Sequence, residues 1–251
     1  MGHQGDAAGY GVGSMAHTTL HLWRVPPRRV PGALRRMGLD RVRLRTAAGL
    51  RFHKLLGTGD GRTFSPRDAD PLTWGLLCTW DDADAAAAFE GHPTPRGWRR
   101  IASEEWRADL ACLRAKGWWS GRQPFTADPA FAGWSGPVAS VTRARLRTST
   151  TGTFWKAVPP VVADLAPGGD DGGPLLRVGI GEAPVGLQGT FTVWRDAAAL
   201  TDFAYRRPAH RQAITDTQRL DWYAEELFAR FAVLQQRGTV FGNALPLDLR
   251  P

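Results

Sequence analysis

The sequence predicts an α+β protein: two ferredoxin-like repeats closing into a pseudo-dimeric α/β barrel. Three observations carry that prediction. The stretch "LCTWDDADAAAAFEGHPTPRGWRRI" (Leu77 to Ile101) returns as "FTVWRDAAALTDFAYRRPAHRQAI" (Phe191 to Ile214), with Trp80 and Trp194, Asp82 and Asp196, and Phe89 and Phe203 each 114 positions apart. Self-similarity at a fixed offset marks a repeated structural unit. Each copy reads strand, helix, strand, strand, helix, which is the ferredoxin-like order. One such unit leaves an apolar sheet face uncovered, whereas two can pack sheet against sheet with the helices outside.

The elements follow in order. "HTTLHLWRV" and "GPVASVTRARLR" alternate and carry β-branched residues, so they read as the first strands. "GALRRMGLDRVRL" and "TGTFWKAVPPVVADL" supply the first helices. "LRFHKLLGTG" and "LLRVGIGEAP" follow as strands that end in glycines, and "WGLLCTW" and "GTFTVW" as the third strands. Asp82 and Asp196 stand where a helix N-terminus needs an acceptor for its free N–H groups. The last strand of each repeat is placed near "GWWSGRQPF" and "GTVFGNALP", where Gly117 matches Gly238 and Gly121 matches Gly242. This puts Trp98, Trp106 and Trp222 on second-helix faces and makes Glu225 and Glu226 exposed helix carboxylates. Residues 1–15 read as a disordered leader, 16–127 as the first repeat, 128–135 as a linker and 136–251 as the second repeat. "APGGDDGGP" is a polar glycine loop inserted in the second.

Composition bounds the function. Hydrophobic content of 43% and charged content of 22% are those of a soluble globular chain, expected in the cytoplasm. Two cysteines build neither a disulfide framework nor a zinc site. The net charge of +8 raises the question of nucleic acid, but Arg is scattered through every segment and Lys occurs three times only. No nucleic-acid partner is expected, while peripheral contact with an anionic membrane surface fits the charge. A homodimer and a monomer are equally compatible with a fused pair of repeats.

The chain lacks a G-x-S-x-G elbow, an H-E-x-x-H, a P-loop and a G-x-G-x-x-G between strand and helix. "LLGTGDG" reads as a hairpin turn. His210 falls opposite Arg96 in the repeat register, so one copy carries a histidine that the other does not. Two readings of it stand side by side: a satisfied helix residue, or an axial nitrogen ligand to haem iron. Arg206, Arg207 and Arg211 flank it and suit bidentate pairing with haem carboxylates. Trp222, on the following apolar face, is a further candidate to contact the cofactor. Lys54, His53 and Arg177, on the paired inner-strand segments, are the candidates for the opposite side of such a site, His53 as a side chain pointing into the barrel. Arg143, Arg145 and Arg147 alternate along a strand, which fits the same side of the site and equally a solvated face. His17 and His21 need no more than a strand-face role, and Cys78 reads as core filler.

"LRFHKLLGTGDGRTFSPRDAD" followed by "WGLLCTWDD", then "LRVGIGEAPVGLQGTFTVWRD", "FAYRRPAHRQAI" and "WYAEELFARFAVL", resemble the spheroidene monooxygenase family of acyclic carotenoid ketolases. The ordered elements K-L-L-G-T-G, G-I-G-E-x-P and F-A-R-F carry the resemblance across roughly residues 17–245. It implies the dimeric α/β barrel haem-protein superfamily and a haem b (iron) cofactor, with His210 at the position of the axial ligand. It also implies O2-dependent hydroxylation or ketone formation on a small apolar substrate, such as an acyclic carotenoid or a specialised metabolite. Electrons would come from a donor such as a ferredoxin or reductase. Two other readings share the barrel: a redox-neutral haem enzyme of the aldoxime dehydratase kind, and a non-catalytic barrel that binds haem or an apolar ligand.

Overall fold

Apolar and polar residues alternate through most of the strands, and this period-2 pattern sorts each strand into an inner and an outer face. The computed structural model describes residues 16–60, 68–146, 173–182, 189–206 and 223–249. Among these, eight strands form: β1 (His17–Arg24), β2 (Leu50–Gly59), β3 (Ala69–Trp80), β4 (Glu104–Gly117), β5 (Val138–Leu146), β6 (Leu176–Gly181), β7 (Gly189–Trp194) and β8 (Tyr223–Gly238). Four helices accompany them: α1 (Val30–Arg43), α2 (Ala83–Ala88), α3 (Pro93–Arg99) and α4 (Ala197–Arg206).

All pairings are antiparallel, and the strands close in the order β1-β3-β2-β6-β7-β5-β8-β4. Each half is therefore a ferredoxin-like sheet in the order 4-1-3-2, and the two join edge to edge, which leaves neither sheet with an open edge. The fold is the duplicated α/β barrel that the repeats predict.

The seams obey a pseudo-two-fold. Trp106 pairs with Gly238 and Gly117 with Leu227, so exchanging the halves maps the long β4–β8 seam onto itself. The β2–β6 seam is short, three pairs from Gly57↔Gly181 to Gly59↔Gly179. The barrel interior is filled from both halves, with Leu20, Leu56, Trp106, Val141, Val178, Phe191 and Phe231 among its buried side chains.

The turns after β4 and β8 are near copies. Gly117 and Gly238 have φ of 100° and 79°, and a Cβ on either would lie 2.1 or 2.0 Å from the carbonyl oxygen of Glu226 or Glu105. Ser120 and Phe241, 121 positions apart, both sit at left-handed φ, 54° and 53°. The N-caps are as the sequence predicts: Asp82 accepts from the Ala85 N–H at 2.8 Å and Asp196 from that of Ala199 at 2.7 Å.

The last strand of each half differs from the sequence expectation. It is Glu104–Gly117 and Tyr223–Gly238, and "GWWSG" and "GTVFG" form the turns that follow. Trp106 accordingly lies on β4 inside the barrel, and Glu225 and Glu226 lie on a strand. In β4, Trp106, Ala108, Leu110 and Cys112 point inward and Arg107 and Asp109 outward, and pairing on both sides overrides the helix-forming composition.

Candidate active site

The outer faces of the two half-sheets are the surfaces that the helices of such a barrel cover, and they differ. In the first half, Trp23, Trp74, Trp80 and Trp98 are 0–4% exposed and pack with Leu55, Leu76, Cys78 and Phe89 beneath α1 and α3. Trp23 stacks on Trp98 at 5.3 Å, and Trp74 meets Trp98 at 6.2 Å. Burying each such ring is worth roughly 2–3 kcal/mol, so this face is a core.

The register identifies the matching positions of the second half. Trp80 pairs with His17 and Trp194 with Val138, and His53 pairs with Cys78 as Arg177 does with Thr192. Leu55 therefore corresponds to Gly179, Leu76 to Thr190, Cys78 to Thr192, His21 to Thr142 and Trp23 to Ala144. Bulky apolar groups are replaced by glycine, alanine and threonine over one continuous sheet face. Ser140 and Thr192 share a 2.7 Å hydrogen bond there. Among the described residues Val138, Trp194, Leu200 and Phe203 form a buried outer cluster in this half, at one end of the sheet beneath α4.

The sequence-predicted residues divide accordingly. Arg177 lies on this second outer face, between the inward Leu176 and Val178. His53 occupies the equivalent place in the first half, so it faces outward rather than into the barrel; burial and the Lys54 charge lower its pKa. Lys54 instead faces inward. His210, Arg207, Arg211 and Trp222 lie outside the described residues, as does Arg147, and of Arg206 only the backbone at the end of α4 is described. No cluster of three or more His, Cys, Asp or Glu side chains suited to a metal ion occurs among the described residues.

Lys54 belongs to a second constellation, at one mouth of the barrel. Its Nζ donates to Glu182 Oε2 and Ser120 Oγ, both at 2.5 Å, and lies over the rings of Phe52 and Trp119. Trp119 Nε1 and Arg143 donate to Glu182 Oε1 at 2.7 and 3.0 Å. Arg143 also donates to Glu225 at 2.6 Å, which accepts from the N–H groups of Ser120 and Gly121. Burial raises the pKa of both glutamates, but Lys54, Trp119 and Arg143 outweigh it at Glu182, and the Gly121 N–H and Arg143 at Glu225. Both carboxyls are therefore held below the usual glutamate range. Arg143 is buried, 4% exposed in its side chain, and is not part of a solvated face. At the other mouth the equivalents of Arg143, Glu182, Lys54 and Trp119 are Leu22, Thr58, Val178 and Val240, so the pseudo-symmetry is broken there too, while Glu104 keeps the place of Glu225 and accepts from the Gly242 N–H at 2.7 Å.

The sequence reading missed this network. K-L-L-G-T-G and G-I-G-E meet in it through the Lys54–Glu182 pair, 128 positions apart, across the short β2–β6 seam.

A further buried group sits under α2 and α3. His21 is fully buried and stacks on Trp23 at 5.0 Å, with Glu90 and Glu105 at 3.9 and 3.8 Å, beyond hydrogen-bonding distance. Burial lowers its pKa.

The described residues define a duplicated α/β barrel whose two outer faces differ. No family model matches the chain. It is 33% identical over 216 residues to spheroidene monooxygenase of Rhodobacter capsulatus, covering 85% of this chain and 88% of that protein. It is 36% identical over 196 residues to spheroidene monooxygenase of Rubrivivax gelatinosus, covering 78% of this chain and 73% of that one. Among solved structures, aldoxime dehydratase superposes with a TM-score of 0.57 at 12% identity, covering 87% of this chain and 81% of the other, a likeness of fold alone. The chain belongs to the spheroidene monooxygenase family, and it is an oxidoreductase of the monooxygenase type.

Proposed function

We propose that this chain is a haem-dependent monooxygenase that hydroxylates or ketonises an apolar substrate, such as an acyclic carotenoid or a specialised metabolite, on the outer sheet face of its second half. The observation that carries the reading is the stripping of that face: Gly179, Thr190, Thr192, Thr142 and Ala144 stand where the first half has Leu55, Leu76, Cys78, His21 and Trp23. A sheet face with small side chains suits a planar macrocycle, while the tryptophan-filled first face leaves no room for one.

His210 would hold the iron, and Arg206, Arg207 and Arg211 would pair the carboxylates of the cofactor. When bound, haem supplies O2 activation with two electrons from an outside donor such as a ferredoxin or reductase. The chain supplies the rest. The guanidinium of Arg177 carries N–H donors and no acceptor, so it would donate to a polar or anionic group on this face. The hydroxyls of Ser140, Thr142, Thr190 and Thr192 both donate and accept, so they can hold a water or pass a proton along the sheet. The carbon skeleton of the substrate gains its affinity from apolar contact and excluded water.

The test is an absorption spectrum of protein expressed with haem supply, wild type beside His210→Ala. The expected result is a Soret band in the first that is lost or shifted in the second. A wild-type protein that takes up no haem overturns the reading. Turnover under argon in place of O2 would move the chain to redox-neutral chemistry, and haem uptake without turnover from any electron source would make it a binding barrel.

A further inference from the structure

Helix α1 carries a surface that the barrel does not use. Ala33, Met37 and Asp40 point into the first-half core, with Leu44 just beyond the helix. On the opposite side Leu34, Leu39 and Val42 are 47, 42 and 62% exposed, half of the large hydrophobic side chains that stand exposed among the described residues. The spacing of Leu34, Gly38 and Val42 at i, i+4 and i+8 places them in one line along the helix.

The charge on this surface has one sign. Arg28, Arg29, Arg35, Arg41 and Arg45 are all exposed and surround the apolar line. The only acid between residues 27 and 47 is Asp40, whose side chain is fully buried and accepts from Arg43 at 3.3 Å. At the C-terminal end of α1 the patch runs on into a cleft of about 370 Å3 lined by Arg45, His53 and Arg122 together with Arg51 and Lys54, which are paired to Asp81 and Glu182.

Exposed leucines ringed by arginines are unfavourable in water and favourable where apolar and anionic surroundings meet. There the leucines enter the acyl boundary, and the arginine stems lie along it with their heads at the phosphates. An acidic protein would answer the charge but leave three exposed aliphatic side chains without a dry partner. We propose that α1 and the adjoining cleft are a docking surface for an anionic lipid bilayer, seated through Leu34, Leu39 and Val42 and held by the surrounding arginines. Among the described residues no helix is long and apolar enough to cross a membrane, so the contact is a lying-on rather than a spanning one. It rests on α1 and the cleft, independently of the cofactor reading above.

The experiment is co-sedimentation of the full chain with vesicles of phosphatidylcholine alone and of phosphatidylcholine with about one-third phosphatidylglycerol, at low and high salt. Three proteins are compared: wild type, Arg35→Gln/Arg41→Gln/Arg45→Gln, and Leu34→Ser/Leu39→Ser/Val42→Ser. All six positions are exposed, so both variants should melt like wild type. The expected result is partition onto the anionic vesicles that falls at least tenfold in the arginine variant. The serine variant should lose the fraction of binding that survives high salt. Equal partition onto both vesicle types, wild-type partition by the arginine variant, or no sedimentation at all would each overturn the proposal. Failure to bind vesicles combined with arginine-dependent capture by polyglutamate would assign the face to an acidic protein instead.

Discussion

His53 and Arg177 occupy the same position in the two halves of the barrel, each one residue before an inward side chain and each paired to a third-strand residue, Cys78 or Thr192. The pair shows what duplication permits. The interior positions away from the barrel mouths stay apolar in both repeats, because the two sheets share one interior, but the outward positions answer to each half separately. One outer face became a tryptophan core, and the other carries small and hydroxyl side chains at the matching described positions.

Restoring bulk to this second face should therefore cost function and not folding. Ala144→Trp places the first half's Trp23 side chain at a half-buried position of the second half. Haem titration followed by absorbance should show affinity reduced at least tenfold, with a melting temperature within a few degrees of wild type. A variant that binds haem as wild type does would place the ligand elsewhere.

The barrel-mouth network predicts a large effect from a residue far from that face. Arg143→Met leaves the carboxylates of Glu182 and Glu225 without their shared guanidinium, and removing one partner of a buried charged set costs about 3–5 kcal/mol. Urea unfolding should show a lower midpoint at unchanged slope. A loss below about 1 kcal/mol would mean that solvent already screens the network.

Much of the fold was legible because equivalent residues recur at fixed offsets: the third strands end on Trp80 and Trp194 and the N-caps on Asp82 and Asp196. β4 and β8 were not. "EEWRADLACLRAKG" and "YAEELFARFAVLQQRG" are rich in Ala, Glu, Leu and Arg, the residues of helices, and only pairing with β1, β5 and each other makes them strands. At the site, Glu182 was visible within G-I-G-E, but Arg143 and Glu225 come from other strands, and no spacing rule joins residues that meet only when the barrel closes.

The two turn glycines offer a test of the pseudo-symmetry itself. Gly117→Ala and Gly238→Ala each force a side chain into left-handed backbone and against a carbonyl oxygen of the neighbouring strand. Each should destabilise by about 2 kcal/mol or more in urea unfolding, and by similar amounts because the two turns have the same geometry. A loss confined to Gly117→Ala would mean that the charged mouth alone holds the barrel closed.

The same mouth sets an acid limit on stability. Glu182 and Glu225 have folded pKa values below the ordinary 4.5, because their cationic and N–H partners outweigh burial. Below that value the unfolded chain binds protons that the folded chain still refuses, so stability falls as pH falls. Their contribution is complete above about 4.5, declines below it, and is gone once both folded carboxyls are protonated. Glu182→Gln should lower the urea midpoint at neutral pH, where the charged partner is lost, and flatten its decline between about pH 4.5 and pH 3. An acid limb equally steep in Glu182→Gln and wild type would assign the limit to other carboxylates, such as Asp109, which His17 and Arg107 hold low against the effect of burial.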